Sequence, residues 1–377
     1  MQTSKKLFKP GIFLILLAGI LSLSSCGDNS PIQIGYVGGL TGRYSQLAIG
    51  VRNGVTLAVD TLNKNGGVNG RQIELVVRDD KSDPAEGEKI FTELIEMKIP
   101  VVIGPLLSKM AATTLRAIKE QNVLVISPTV STDAILNMDD NFLRVIPESS
   151  FQAEIISAAI TGTDIKSVAI VYDLANKAYT EPIYDVFKKR MTEAGVEIAY
   201  VNTLKNAKIK YFSVIADEIV DAAPDALFLV TSSIDGGELC QQVRKKDNAI
   251  IFYGSHWVKS GNIIEIGGRS VDGMFFASHY ESNEKSDLYK EFHTKFINAF
   301  KSTPNFPSVY GYEAVMAMAD GMGDSKSYDP ERIKAAILAK GKFQGLEEIF
   351  KINQYGDAER SRSLVQIENG DFVRVDL

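Results

Sequence analysis

The stretch that decides the fold is Ile99–Thr132, IPVVIGPLLSKMAATTLRAIKEQNVLVISPTVST, which reads as strand, turn, helix, strand, turn. Val101, Val102 and Ile103 make an unbroken apolar run, the mark of a parallel strand buried on both faces. Gly104-Pro105 ends it, and Ser108 stands where a helix begins that runs to about Gln121. Val123–Ile126 is a second such strand, closed by Ser127-Pro128 and the hydroxyl-rich Thr129-Val130-Ser131-Thr132. In a right-handed βαβ unit the two strand ends lie side by side, at the edge where open α/β sheets bind ligands. Ser108 offers a hydroxyl and a helix-start N–H there, and Ser131 offers the same pair from the neighbouring turn. Donors converging in this way make a small-anion site, most simply for a carboxylate. Serines at helix starts are also ordinary N-caps, and the stretch alone admits both readings.

Working outward, the N-terminus has the form of an export signal. Lys5, Lys6 and Lys9 precede one apolar run, Ile12–Leu23, too short to span a bilayer. Leu23-Ser24-Ser25-Cys26 follows and resembles the lipobox of bacterial lipoproteins, in which the cysteine is lipidated and becomes the first residue. Losing residues 1–25 removes those three lysines and no acid, leaving 38 basic residues against 47 acidic ones, a formal charge of −9. Such a balance argues against nucleic acid or an anionic membrane surface as partner. Cys240 is the only other cysteine, so an internal disulfide is not expected and burial of apolar surface must hold the fold.

At 377 residues the chain exceeds what one core usually supports, and two lobes are expected. Strand and helix signals alternate from Ile32 onward, which predicts parallel sheets. One array runs to Ile146, and a second runs from strand Val168–Tyr172 to Val271–Ala277. Helices follow over Leu288–Lys301, Val309–Met322 and Pro330–Leu338, and the tail holds short strands near Ile349–Ile352, Leu364–Ile367 and Phe372–Val375.

Catalytic constellations are missing from this pattern. The glycines at 35, 38, 39 and 42 do not fit the dinucleotide fingerprint, and no phosphate loop exists. Gly268-Arg269-Ser270-Val271-Asp272 lacks the last glycine of a nucleophile elbow. The three histidines, His256, His279 and His293, form no metal-ligand spacing, and no cofactor is implied. Asp79-Asp80 could be read as paired carboxylates, but adjacent residues at a strand end point to opposite faces. A large exported α/β chain with a carboxylate site and no catalytic machinery reads as a binder, not an enzyme.

Five phrases then appear in order: Ile34-Gly35 through Leu40-Thr41-Gly42, Asn65-Gly66-Gly67-Val68-Asn69-Gly70-Arg71, Asp79-Asp80-Lys81-Ser82-Asp83-Pro84, Val102-Ile103-Gly104-Pro105 and Ile126-Ser127-Pro128. Together they resemble the branched-chain amino acid (Leu/Ile/Val) type of periplasmic solute-binding protein. The resemblance implies a type I periplasmic-binding-protein fold, an α/β clamshell with two lobes. Each lobe would be a mostly parallel sheet flanked by helices, with three crossovers near Arg144–Ser149, Ser278–Asn283 and Leu346–Phe350. It places a signal at 1–25, a tether at 26–31, the first lobe at 32–146 and 280–347, and the second at 147–279 and 348–377.

The resemblance also implies residue roles. Ser108, beside Leu107, would hold a ligand carboxylate, and Ser131, beside Val130, would share it. The Thr129 carbonyl would meet an ammonium, and Tyr179 would cover the ligand from the second lobe. The first-lobe aromatic lid of the family falls on Leu47, and the acid that pairs with the ammonium falls on His256. A histidine cannot replace a carboxylate there, because protonation makes it a like charge. Asp235 either takes over that role or caps its helix, and His256 is equally read as a hinge-side hydrogen-bond donor to a ligand with no ammonium. The implied whole is a monomeric solute receptor of an ABC importer, anchored in the bacterial envelope by lipid on Cys26 and facing the periplasm or exterior. Its ligand would be an amino acid or another small carboxylate, and its partners permease subunits. A sensing receptor of the same fold and an exported hydrolase are the alternatives.

Overall fold

Two sheets form from the two α/β arrays in the computed structural model, which describes residues 30–205, 209–259, 263–279 and 286–375. The expected signal and Cys26 lie outside the described residues. The first sheet contains β1 (Ile32–Gly38), β2 (Ile73–Asp79), β3 (Val101–Ile103), β4 (Leu124–Ser127) and β5 (Phe142–Arg144). Their order is β2-β1-β3-β4-β5 and every neighbouring pair is parallel. β3 and β4 are buried along their whole length, as unbroken apolar runs require. Helices α1 (Ser45–Lys64), α2 (Pro84–Glu96) and α3 (Ala111–Ile118) connect these strands. α2 starts as its sequence predicts, with Asp83 accepting from the N–H groups of Ala85 and Glu86 and Pro84 in the first turn.

The chain then enters the second lobe through helix α4 (Phe151–Thr161). There β6 (Ser167–Asp173), β7 (Glu197–Leu204), β8 (Ala226–Val230), β9 (Ile251–Gly254) and β10 (Phe275–Ser278) run parallel in the order β10-β9-β8-β6-β7. Helices α5 (Lys177–Ala194), α6 (Ile209–Asp221), α7 (Ser233–Arg244) and α8 (Ile263–Gly267) join these strands. Cys240 is wholly buried on α7, where burial pushes its thiol up to about 12 and leaves it unreactive. A run of helices returns to the first lobe: α9 (Asp287–Phe300), α10 (Phe306–Ser325) and α11 (Pro330–Lys340). α10 packs along α1, and α11 packs on α10.

The tail differs from the sequence reading. β11 (Lys342–Gln344), β12 (Ile349–Ile352) and β13 (Ala358–Glu359) make a separate antiparallel sheet. That sheet belongs with the first lobe: the Arg144 N–H donates to Gly356 O at 2.9 Å, and the buried Arg144 guanidinium pairs with Asp357 at 2.5 Å. Only β14 (Ser363–Glu368) and β15 (Asp371–Val375) join the second sheet, at its β10 edge. The last passage between lobes therefore falls at Arg360–Arg362, not at Leu346–Phe350. A short alternating strand looks the same in sequence whichever lobe it pairs with.

Apolar packing is continuous between the lobes. One buried cluster runs from Val51, Tyr310 and Met318 of the first lobe to Phe187, Phe228 and Trp257 of the second. Two further clusters cover the outer faces, one around Phe91 and Val102 and the other around Phe212 and Phe252. The C-terminal ends of β1, β3 and β4 thereby face those of β6, β8 and β9 across one cleft, the ligand-binding edge of open α/β sheets.

Candidate functional site

The first-lobe wall is built by hydroxyls that tie two turns together. Gly104 sits at φ +127°, and a Cβ there would meet Val37 O at 2.1 Å, so only glycine lets β3 end in this way. Ser127 Oγ donates to Pro105 O at 2.7 Å and accepts from the Val130 N–H at 3.0 Å. Thr129 Oγ1 donates to Leu106 O at 2.8 Å. The Ser131 N–H donates to Ser108 Oγ at 3.2 Å. This last bond revises the expectation for Ser131, whose N–H is spent on its neighbour while its hydroxyl stays available. Ser131 Oγ is buried and has no partner among the described residues.

Neither serine caps a helix with its side chain. The turn Ser108–Met110 is a short 3₁₀ segment with Leu107 at its N-cap, and α3 follows over Ala111–Ile118, shorter than the helix predicted from Ser108 to Gln121. The capping side chain after β4 is Thr132, which accepts from the Ala134 N–H. Val130 faces the outer core and does not line the cleft.

The second-lobe wall turns on Gln152. Its Oε1 accepts from Tyr179 Oη at 2.9 Å and from the His256 N–H at 2.7 Å, and the Trp257 N–H donates to Tyr179 Oη at 3.3 Å. Burial pushes the Tyr179 phenol up to about 12, so it remains a protonated donor. The Trp257 ring lies between Tyr179 at 5.6 Å and Tyr44 of the first lobe at 5.4 Å. Asn176 bridges the cleft by accepting from the Lys109 N–H at 3.1 Å. His256 is only 2 % exposed, and its ring packs on Phe306 at 4.1 Å. Burial first, then His279, Lys259 and Arg360, hold its pKa well below the ordinary histidine value, so the imidazole is neutral.

Between these walls lies a cavity of about 30 Å³. Its polar lining is Ser108, Thr129, Ser131, Gln152, Asn176 and Tyr179, with His256 beside them. Leu47, Leu107, Ile146, Trp257 and Phe306 supply the apolar part. The structure thus brings together Leu47, Leu107, Ser108, Thr129, Ser131, Tyr179 and His256, and leaves out Val130 and Asp235. Asp235 takes neither role that the sequence left open: it is paired with Arg43 of the first lobe at 2.6 Å and accepts from Ser232 Oγ at 2.7 Å. Ser232 is itself the cap of α7. Asp173 shares that guanidinium at 3.5 Å and accepts from Tyr44 Oη at 2.7 Å.

Sequence reasoning missed Gln152, Asn176 and Phe306 as wall residues. A glutamine in the first turn of a largely apolar helix just after a lobe crossing was the one available signal. Asp79 and Asp80 are separately engaged, as adjacent strand-end residues should be. Asp79 accepts from the Leu40 N–H and from Thr41 Oγ1, while Asp80 accepts from the Ser82 N–H. Among the described residues no His, Cys, Asp and Glu group is placed to hold a metal ion, and no helix is long and apolar enough to cross a membrane.

Comparison with known proteins agrees with this fold. A family model described as periplasmic binding protein matches residues 31–371. The leucine-, isoleucine-, valine-, threonine- and alanine-binding protein of Pseudomonas aeruginosa is 26% identical over 331 residues, covering 86% of each chain. Among solved structures, a leucine-binding protein from Thermotoga maritima superposes with a TM-score of 0.82 at 22% identity, covering 92% of this chain and 98% of the other. An ABC-transporter solute-binding protein from R. palustris, solved with benzoate, also gives 0.82 at 22% identity, over 92% and 95%.

Proposed function

The chain belongs to the periplasmic binding protein family, of the branched-chain amino acid type, and from that premise we propose that it is the extracytoplasmic receptor of an ABC importer. Its solute is an amino acid or another small carboxylate, held in the cleft between the lobes, and its protein partners are permease subunits. The observation that carries this reading is the pair of buried serines, Ser108 and Ser131, which line the cavity without capping any helix. Ser108 Oγ already accepts a hydrogen bond, so its hydroxyl hydrogen is free for an anion, and the Ser131 hydroxyl has no other partner among the described residues. Hydrogen bonds to a charged group contribute about 1.5–3 kcal/mol each, enough to hold a carboxylate in a closed cleft.

Calorimetry with small acids and the matching amides tests the reading. The acid should bind and its amide should bind far more weakly, because the amide brings N–H groups to a site made of donors. Ser108→Ala should weaken the acid by about tenfold, equivalent to about 1.4 kcal/mol, without abolishing binding. Ser45→Ala, on the first turn of α1 and outside the cavity lining, should change little. Equal affinity for acid and amide would overturn the carboxylate site.

The lipobox-like Leu23–Cys26 supports a lipid anchor on a monomeric receptor in the cell envelope. Lipid labelling and membrane fractionation should be lost together in Cys26→Ser. A signal-cleaved Cys26→Ser protein that still needed detergent for release would count against the anchor.

A further inference from the structure

We propose that the solute is a small monocarboxylate with no ammonium group, and that it presents a neutral hydroxyl to His256. This rests on the carboxylate reading above and adds the chemistry of the rest of the ligand. Among the described residues that line the cavity there is no aspartate, glutamate, lysine or arginine. The second-lobe acids at the cleft are already committed, Asp235 to Arg43 and Ser232, and Asp173 to Arg43, Tyr44 and the Ala175 N–H. A ligand ammonium in this cavity would be a buried charge without a carboxylate to meet it, which is strongly unfavourable.

His256 supplies the positive half of the argument. Its ring is buried, and neither Nδ1 nor Nε2 has a hydrogen-bond partner among the described residues. A neutral imidazole carries one N–H donor and one lone-pair acceptor, and both stay unmet here. A hydroxyl can both give and take a hydrogen bond, so it can satisfy either ring nitrogen in either tautomer. An ammonium can only donate, and it would add a positive charge where Lys259 and Arg360 already act against one. The apolar lining from Leu47, Ile146, Trp257 and Phe306 then fits a hydrocarbon or aromatic body between the two polar ends. A volume of about 30 Å³ is larger than the roughly 10–15 Å³ needed for one water, so the space is more than a single-water site.

The test uses matched triplets that differ in one substituent, on the chain from Gly27 onward. One triplet is L-leucine, 2-hydroxy-4-methylpentanoate and 4-methylpentanoate. The other is 4-aminomethylbenzoate, 4-hydroxybenzoate and benzoate, which moves the polar group to the far end. In the better-binding triplet the hydroxyl member should bind about tenfold or more tighter than the ammonium member. His256→Phe should erase the preference for hydroxyl over hydrogen, read as the ratio of the two affinities within that variant. His256→Gln, which keeps a donor and an acceptor, should retain the preference, and it serves as well if the phenylalanine variant does not fold. The inference is overturned if the ammonium member binds tightest, or if the hydroxyl preference survives in His256→Phe. Binding of the corresponding amides as tightly as the acids, or no binding by any acid, would instead sink the carboxylate reading beneath it.

Discussion

Asp79 and Asp80 are neighbours in sequence with different electrostatic roles. Asp79 is partly exposed and holds the loop after β1 through the Leu40 N–H and Thr41 Oγ1. Asp80 is 1 % exposed, and burial raises its carboxyl to about 6 despite the hydrogen bond from the Ser82 N–H. An unfolded aspartate titrates near 3.9, so between about pH 4 and 6 the folded protein keeps a proton that the unfolded chain has released. Stability from this group therefore falls as pH rises through that window, and the penalty is complete above about pH 6. Asp80→Asn keeps an acceptor for Ser82 and removes the charge. The variant should be more stable than the wild type by the order of 2 kcal/mol at pH 7, with the gap closing toward pH 4. Urea unfolding of both proteins at pH 4, 5 and 7 measures it; a gap that does not change with pH would show that the Asp80 charge is not the cause.

At the scale of elements, the cleft depends on how closely α1 and α10 approach. A Cβ on Gly54 would lie 1.9 Å from Ser308 O, and one on Gly311 would lie 2.4 Å from Val51 O. The two backbones touch there, and neither can yield without moving its helix. The same helices carry Leu47 and Phe306 into the cavity lining at their N-terminal ends. Gly54→Ala should cost about 1–3 kcal/mol by overpacking and should also weaken solute binding by displacing those two residues. Gly323→Ala, on α10 with nothing within 4 Å of the added carbon, should be neutral or slightly stabilising. Thermal unfolding of the pair separates packing from helix propensity: equal melting temperatures would show that the crossing relaxes at no cost.

For the whole molecule, the question is what holds the lobes together. Polar links across the cleft among the described residues include Arg43 to Asp235 and to Asp173, Tyr44 to Asp173, and the Lys109 N–H to Asn176. The apolar cluster that runs through Trp257 adds a non-directional term. Arg43→Ala removes the one cation shared by two second-lobe acids and leaves them facing each other. Each 1.4 kcal/mol lost from the closed form shifts the open-to-closed ratio about tenfold. Small-angle scattering of solute-free Arg43→Ala should give a larger radius of gyration than wild type, and saturating solute should restore the wild-type curve. Superimposable solute-free curves would assign closure to the apolar contacts alone. Raised salt should act on the wild type in the same direction, because the Arg43 side chain is 26% exposed and open to screening.

The sequence by itself determined the two mostly parallel sheets, the turn that ends β3 at Gly104-Pro105, and the facing positions of Ser108 and Ser131. These rest on apolar runs, turn residues and the handedness of βαβ units, all of which are encoded within a few tens of residues. Tertiary structure alone decided that Asp235 pairs with Arg43, 192 positions away, and that Gln152 orients both Tyr179 and His256. It also decided that β11–β13 pack with the first lobe, and that the His256 ring meets Phe306 and finds no hydrogen-bond partner among the described residues. Each of these depends on where one lobe sits against the other. No periodicity reports that placement, because a local pattern marks which face of an element is buried without saying which distant side chain will cover it.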